Sequence, residues 1–294
     1  MKLGLQINRF NFPGGDKSIR ETLRQVAQES EKAGIDSLWV MDHFFQIRPE
    51  MLGPKQDPMM EAYTTLGFLA GVTERVTLGT MVTGVIYREP ALLIKAVTAL
   101  DVLSDGRAYF GIGAGWNEQE ATALALPNPL TSQRFDRLED TLQLAKQMWA
   151  DDTSEFKGKL YNLPEPINHP NSIAKPHPPI LIGGGGEQKT LKLVAQYGDA
   201  CNLFYAAGGE VAQHKLDVLK KHCQDVGRDY DEIEKTALAG ISIAQVANNP
   251  EKALETMRAM QQLGFSHAIL SIGNEDDMSA YSKAAPIIEQ IHNL

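Results

Sequence analysis

An Asp-His pair, an isolated Asn and a run of four glycines are the residues of this chain whose types and positions suit chemistry. Asp42-His43 follows an apolar stretch and sets a carboxylate beside an imidazole, a pairing suited to proton transfer or to a hydrogen bond with a ligand heteroatom. A satisfied polar pair is the plainer explanation. Gly183-Gly184-Gly185-Gly186 stands directly before a helical pattern, so free backbone amides would gather at a positive helix terminus, where a phosphate is readily held. A simple turn would need one glycine, not four. No Lys or Ser follows at Walker A spacing, which argues against a nucleoside triphosphatase. Gly111, Gly113 and Gly115 alternate just before Asn117 and strip one strand face of side chains; tight strand packing explains them as readily as a ligand does, and the spacing is not the Rossmann fingerprint. No Cys or His spacing predicts a metal, and Cys201 and Cys223 read as inert packing residues. Among the other histidines, His169 and His177 are expected to be solvated, and His214, His222, His267 and His292 to sit on helix or turn surfaces.

These residues fall at the ends of strands. Apolar runs predict strands at 3–8, 35–41, 76–83, 108–112, 180–182, 200–204, 237–246 and 268–272, alternating with helical patterns at 19–33, 63–72, 90–103, 135–149, 188–197, 211–226, 250–263 and 278–291. Eight strand-then-helix units with right-handed crossovers close most simply into a (β/α)8 barrel, although a nine-stranded open sheet or two small α/β domains also fit the alternation. No linker-like stretch divides the chain, so residues 1–294 read as one domain. In a barrel, Asp42-His43, Met81-Val82-Thr83, Asn117 and the glycine run follow strands two to five and converge on one mouth. Six prolines break the pattern within residues 151–179. A proline-rich excursion of that length is expected to be a mobile cover over the mouth.

With 43% hydrophobic and 22% charged residues the chain has ordinary globular material. A net charge of -9 argues against nucleic-acid and anionic-membrane partners, both of which reward clustered Lys and Arg. No apolar run approaches a membrane span and the N-terminus lacks a signal-peptide core, so a cytoplasmic protein acting on a small molecule is expected.

Three stretches together resemble the bacterial luciferase-like oxidoreductase superfamily: Leu-Trp-Val-Met-Asp-His-Phe at 38–44, Leu-Gly-Thr-Met-Val-Thr-Gly-Val-Ile-Tyr-Arg-Glu-Pro from 78, and Leu-Asp-Val-Leu-Ser-Asp-Gly-Arg with Gly-Ile-Gly-Ala-Gly-Trp-Asn-Glu-Gln-Glu across 100–120. Ile-Leu-Ile-Gly-Gly-Gly-Gly-Glu at 180–187 fits the same pattern. The resemblance implies a TIM barrel that uses coenzyme F420 or FMN, with the F420-dependent branch the closer match. It implies cofactor contacts at Asp42, His43 and Asn117, with His43 catalytic near the reactive carbon of the ring. It further implies a strained bulge, often a non-proline cis peptide, at Met81-Val82-Thr83 beneath the ring, and the cofactor phosphate on Gly184, Gly185 and Gly186. A homodimer follows by analogy. One departure is visible: sugar-phosphate dehydrogenases of the family carry an acid close before the Asn, where Trp116 stands here. The expected activity is hydride transfer between F420 and a small organic substrate, with an FMN-dependent monooxygenase and a cofactor-free binding barrel as the alternatives.

Overall fold

The structure, a computed structural model, describes residues 1–47, 49–273 and 277–294. Among them, eight parallel strands close into a barrel: β1 (Lys2–Ile7), β2 (Ser37–Val40), β3 (Thr77–Thr80), β4 (Ala108–Gly113), β5 (Ile180–Gly183), β6 (Ala200–Phe204), β7 (Glu234–Ser242) and β8 (His267–Ser271). Each pairs with its sequence neighbour, and β1 closes on β8 with Leu3 opposite Ala268. The helices α1 (Ile19–Ala33), α2 (Ala62–Ala70), α3 (Pro90–Leu103), α4 (Thr131–Trp149), α5 (Thr190–Tyr197), α6 (Gly209–Val226), α7 (Pro250–Gln262) and α8 (Ser279–His292) follow the strands in turn.

Strand alternation divides the side chains. On β1, Leu3, Leu5 and Ile7 are fully buried in the layer shared with the helices, whereas Gln6 between them reaches the barrel interior. A leucine buried this completely contributes about 1.5–3 kcal/mol. In the lower half of the interior Trp39, Tyr109, Leu181, Ala200 and Ile269 fill the space. Trp39 Nε1 donates to Ser37 Oγ at 2.7 Å, His267 Nε2 lies 2.9 Å from the same oxygen, and Tyr109 donates to Glu234 at 2.7 Å. His267 is therefore an interior residue, 2% exposed, and not the surface residue its sequence context suggested. Below, Arg107 donates to the carbonyls of Ala70, Thr73, Val76 and Ser104, tying the end of α2 to the entrances of β3 and β4.

Three expectations change. The third strand does not run through to residue 83: it stops at Thr80, passes through a cis Met81–Val82 peptide and resumes for two residues at Thr83–Gly84. The strand expected over 237–246 ends at Ser242, because Ser242 and Gln245 form a reciprocal capping box that turns Ile243–Asn248 into a short helix. The excursion at 151–179 does not cover the mouth. Its hairpin, Phe156–Lys157 paired with Asn162–Leu163, is held at the turn by Asp140 of α4, which accepts from the amides of Lys159, Leu160 and Tyr161. Its second half lies on α3, where Asn168 donates to Thr98 and the amides of Ile173 and Ala174 donate to Asp101. The prolines exclude regular structure, but buried polar partners on two helices fix the segment to the outer wall.

Candidate active site

The strand ends surround a cavity of about 580 Å³. Its floor is the bend at Met81 and Val82 together with Gly113, Gly115, Gly183 and Gly184; His43 and Tyr87 form one wall, and Ile47, Leu52, Trp116, Phe135 and Phe204 rise towards the opening. The alternating glycines divide between both explanations offered for them. A Cβ on Gly111 would sit 1.8 Å from the Thr80 carbonyl oxygen, so that position is packing, whereas Gly113 and Gly115 face the cavity. A second concavity, about 660 Å³, lies between α1 and α2 and is lined by Arg20, Met59, Met60 and Phe68; it has neither a histidine nor a glycine loop, so the chemistry belongs to the smaller one.

His43 is the best-supported polar group of the wall. Its Nδ1 lies 2.8 Å from Glu120 Oε2, and Tyr87 Oη donates to that same oxygen at 2.6 Å while standing 3.3 Å from Nδ1. The other carboxylate oxygen accepts from the Phe44 amide at 2.5 Å. Glu120 is fully buried. Burial alone would raise its carboxyl, but the hydrogen bonds from His43 and Tyr87 outweigh it and hold the group below the ordinary glutamate range. Burial, then the neighbouring carboxylate, push the Tyr87 phenol upward, so it stays a donor. An ionised Glu120 takes the proton on Nδ1 and leaves Nε2 as the ring nitrogen for the cavity. Trp116 meets the imidazole edge-on, ring centroids 5.9 Å apart.

Asp42 does not orient His43. Its carboxylate turns away and receives both terminal nitrogens of Arg88, at 2.5 and 3.0 Å, and Arg88 also pairs with Glu61. Burial pushes the Asp42 carboxyl up while the guanidinium pulls it down, and the same contact holds Arg88 above its usual range although burial opposes it. Thr83 is buried behind the bend, bonded to Tyr63 and Thr80. Asn117 caps the helix Glu118–Ala123, its Oδ1 accepting from the Glu120 amide at 3.1 Å. Asp42, Thr83 and Asn117 thus stand behind the wall and hold its supports.

On the far side, the glycine run leads through a three-residue turn into α5, which starts at Thr190 and not at 188. Gly184 takes a φ of +114°. Its amide donates to Asn202, whereas the amides of Gly185 and Gly186 have no protein partner among the described residues. Lys215 Nζ lies 2.5 Å from Glu187 just beyond the run, and Lys189 lies over the Phe135 ring at 5.2 Å.

Residues 1–288 match the family of luciferase-like monooxygenases. The chain belongs to that family. As a luciferase-like protein it is 30% identical over 262 residues to an F420-dependent glucose-6-phosphate dehydrogenase of Kineococcus radiotolerans, covering 88% of this chain and 72% of the relative. Two solved structures share the luciferase-like barrel at 14% identity: the F420-dependent tetrahydromethanopterin reductase of Methanopyrus kandleri (TM-score 0.79, 98% of both chains) and the oxygenating component of the Pseudomonas putida 3,6-diketocamphane monooxygenase, with FMN (TM-score 0.74, 100% of this chain and 98% of the other).

Within this luciferase-like barrel the sequence located His43, Met81, Val82 and Gly184 on the cavity and missed Glu120, Tyr87 and Arg88. A signal for Glu120 was present. Asn117-x-x-Glu120 is the spacing of a capping box, whose Glu normally reaches back to the capping amide; here it turns to His43 instead. No helix among the described residues is long and apolar enough to cross a membrane.

Proposed function

We propose that this chain, as one domain over residues 1–294, binds coenzyme F420 and passes a hydride between it and a small organic molecule. The observation that carries the reading is His43, with Nδ1 fixed by a buried carboxylate and Nε2 left for a glycine-floored cavity. The relative named for F420 supports the deazaflavin over FMN. Bound F420 supplies a two-electron hydride donor and acceptor. Met81 and Val82 would support its ring, and the unpartnered amides of Gly185 and Gly186, with Gly184 opening the loop, would hold its phosphate. Lys189, over the Phe135 ring, and Lys215, paired with Glu187 just beyond the run, would be the cations nearest its acidic tail. Asp42, Thr83 and Asn117 contribute through the groups they brace.

His43 moves the proton. In the oxidising direction Nε2 accepts the hydroxyl proton of the substrate while hydride leaves the carbinol carbon; in the reducing direction the imidazolium returns the proton to the carbonyl oxygen as carbon gains hydride. Glu120 stabilises the charged ring in both. A homodimer is part of this proposal: α3 leaves Leu92 and Leu103 69% and 74% exposed on its outer surface.

Titrating the protein with F420 and with FMN at equal concentrations tests the proposal. F420 is expected to bind more tightly, and His43→Ala to lose about 10²- to 10⁴-fold in turnover at near-unchanged cofactor affinity. Tighter FMN binding with dioxygen consumption would transfer the reading to the monooxygenase alternative. Binding of neither would favour a cofactor-free barrel.

A further inference from the structure

Resting on the proposed function, we infer that the substrate is an uncharged molecule with an aromatic or apolar body that packs against Trp116, and not a sugar phosphate. Trp116 is 60% exposed at the opening and edge-on to His43, and Phe204 is 51% exposed on the rim. Large aromatic surfaces left open beside a reacting group recover free energy when a ligand covers them.

Charge points the same way. Among the described residues no Lys or Arg lines the cavity, whose ionisable walls are His43 and Tyr87. Lys215 is committed to Glu187 and Arg88 to Asp42 and Glu61, while Lys189, over the Phe135 ring, belongs to the side proposed for the acidic tail of F420. Immediately behind His43 stands the ionised Glu120, so an anion bound against Nε2 would face a buried like charge across the ring. A dianionic phosphate drawn into the cavity would be desolvated without a compensating Lys or Arg among its described lining residues. A ketone, enone or alcohol meets neither penalty: its oxygen accepts from or donates to Nε2 while its body lies on the Trp116 indole, with Ile47 and Leu52 beyond. Glucose 6-phosphate, named for the relative, would bring C1 to Nε2 only by carrying the phosphate on C6 into a cavity where no described Lys or Arg meets it.

The test is equilibrium binding to the F420-loaded protein, so that a compound that binds without reacting still counts. The probes are benzylideneacetone, its para-carboxylate and glucose 6-phosphate. The neutral enone is expected to bind at least about tenfold more tightly than either anion. Trp116→Ala should weaken it about tenfold and Trp116→Phe restore most of that, with the F420 Kd of each variant measured in parallel and the protein kept saturated with F420. Parity among the probes, preference for an anion, no binding of the enone, or an unaffected Trp116→Ala variant would overturn the inference while leaving F420 binding, and the proposed function, intact. Failure to bind F420 or FMN would instead overturn the reading on which it rests, and the inference with it.

Discussion

Replacing Glu120 by Gln changes one atom and should invert the chemistry of His43. The Phe44 amide, 2.5 Å from Oε1, can only donate, so the Gln oxygen is held there. The NH2 then stands where Oε2 received His43 and Tyr87 at 2.8 and 2.6 Å. Neutral imidazole can meet that NH2 only with a lone pair on Nδ1, which moves its proton to Nε2 and removes the base from the cavity. The opposite amide orientation sets two N–H groups face to face beside a fully buried side chain, at a cost of about 1–3 kcal/mol, so only ~1–20% of molecules keep the productive tautomer. Loss of the carboxylate charge behind the developing imidazolium adds to this, and the combined fall in kcat is about 10²- to 10³-fold. The assay is single-turnover stopped-flow spectroscopy on the F420-loaded protein across pH, with the cofactor Kd measured in parallel. Tyr87→Phe, which removes one of three donors to Glu120, should lose less than about tenfold. Full activity in Glu120→Gln, a loss confined to cofactor affinity, or a larger loss in Tyr87→Phe would refute the reasoning.

Gly185→Val should weaken F420 by about tenfold or more without unfolding the barrel, because a Cβ there meets Lys215 and Leu203 no closer than 3.7 Å and covers the free amides; unchanged affinity in a fluorescence titration would count against the phosphate site. Glu234, which burial would raise, is brought down from 4.5 to about 2 by His267, Lys2 and Tyr109. A lowered folded pKa contributes stability that is complete above the unfolded value and is lost as pH falls through the folded one, here at most about 3 kcal/mol at neutral pH and about 1 kcal/mol near pH 3. Urea unfolding of the wild type and Glu234→Gln should therefore differ less near pH 3 than near pH 7, and an equal gap would refute it. Leu92→Glu with Leu103→Glu should shift the sedimenting species from dimer to monomer; an unchanged mass would remove α3 from the interface.

Much of the fold was legible because barrel strands alternate apolar and polar faces while the covering helices repeat at their own period; Leu3, Leu5 and Ile7 against Gln6 show the first rule, and Leu23, Val26 and Ala27 on α1 the second. What escaped was set by pairs distant in sequence. Nothing local to Glu120 announces a partner 77 residues earlier, and Asp42 beside His43 invited a neighbour's role that Arg88, 46 residues away, had already taken. The excursion was misplaced for a related reason: prolines state what a segment cannot form, whereas Asp101 and Asp140, which fix where it lies, belong to other helices. His267 shows the same limit within a strand, since its burial depends on Ser37 and Trp39 on the other side of β1.

The filled lower half of the barrel has a kinetic consequence. With Trp39 and Tyr109 packed across the interior, and Gly79 lacking the side chain that would collide with the Trp39 ring, the described residues close that end of the barrel. A ligand resting on Met81 and Val82 and one resting against Trp116 must share a single doorway, the first behind the second. Binding in that order is expected to be sequential, with the inner guest arriving first and departing last, so that an excess of the outer guest should slow release of the inner.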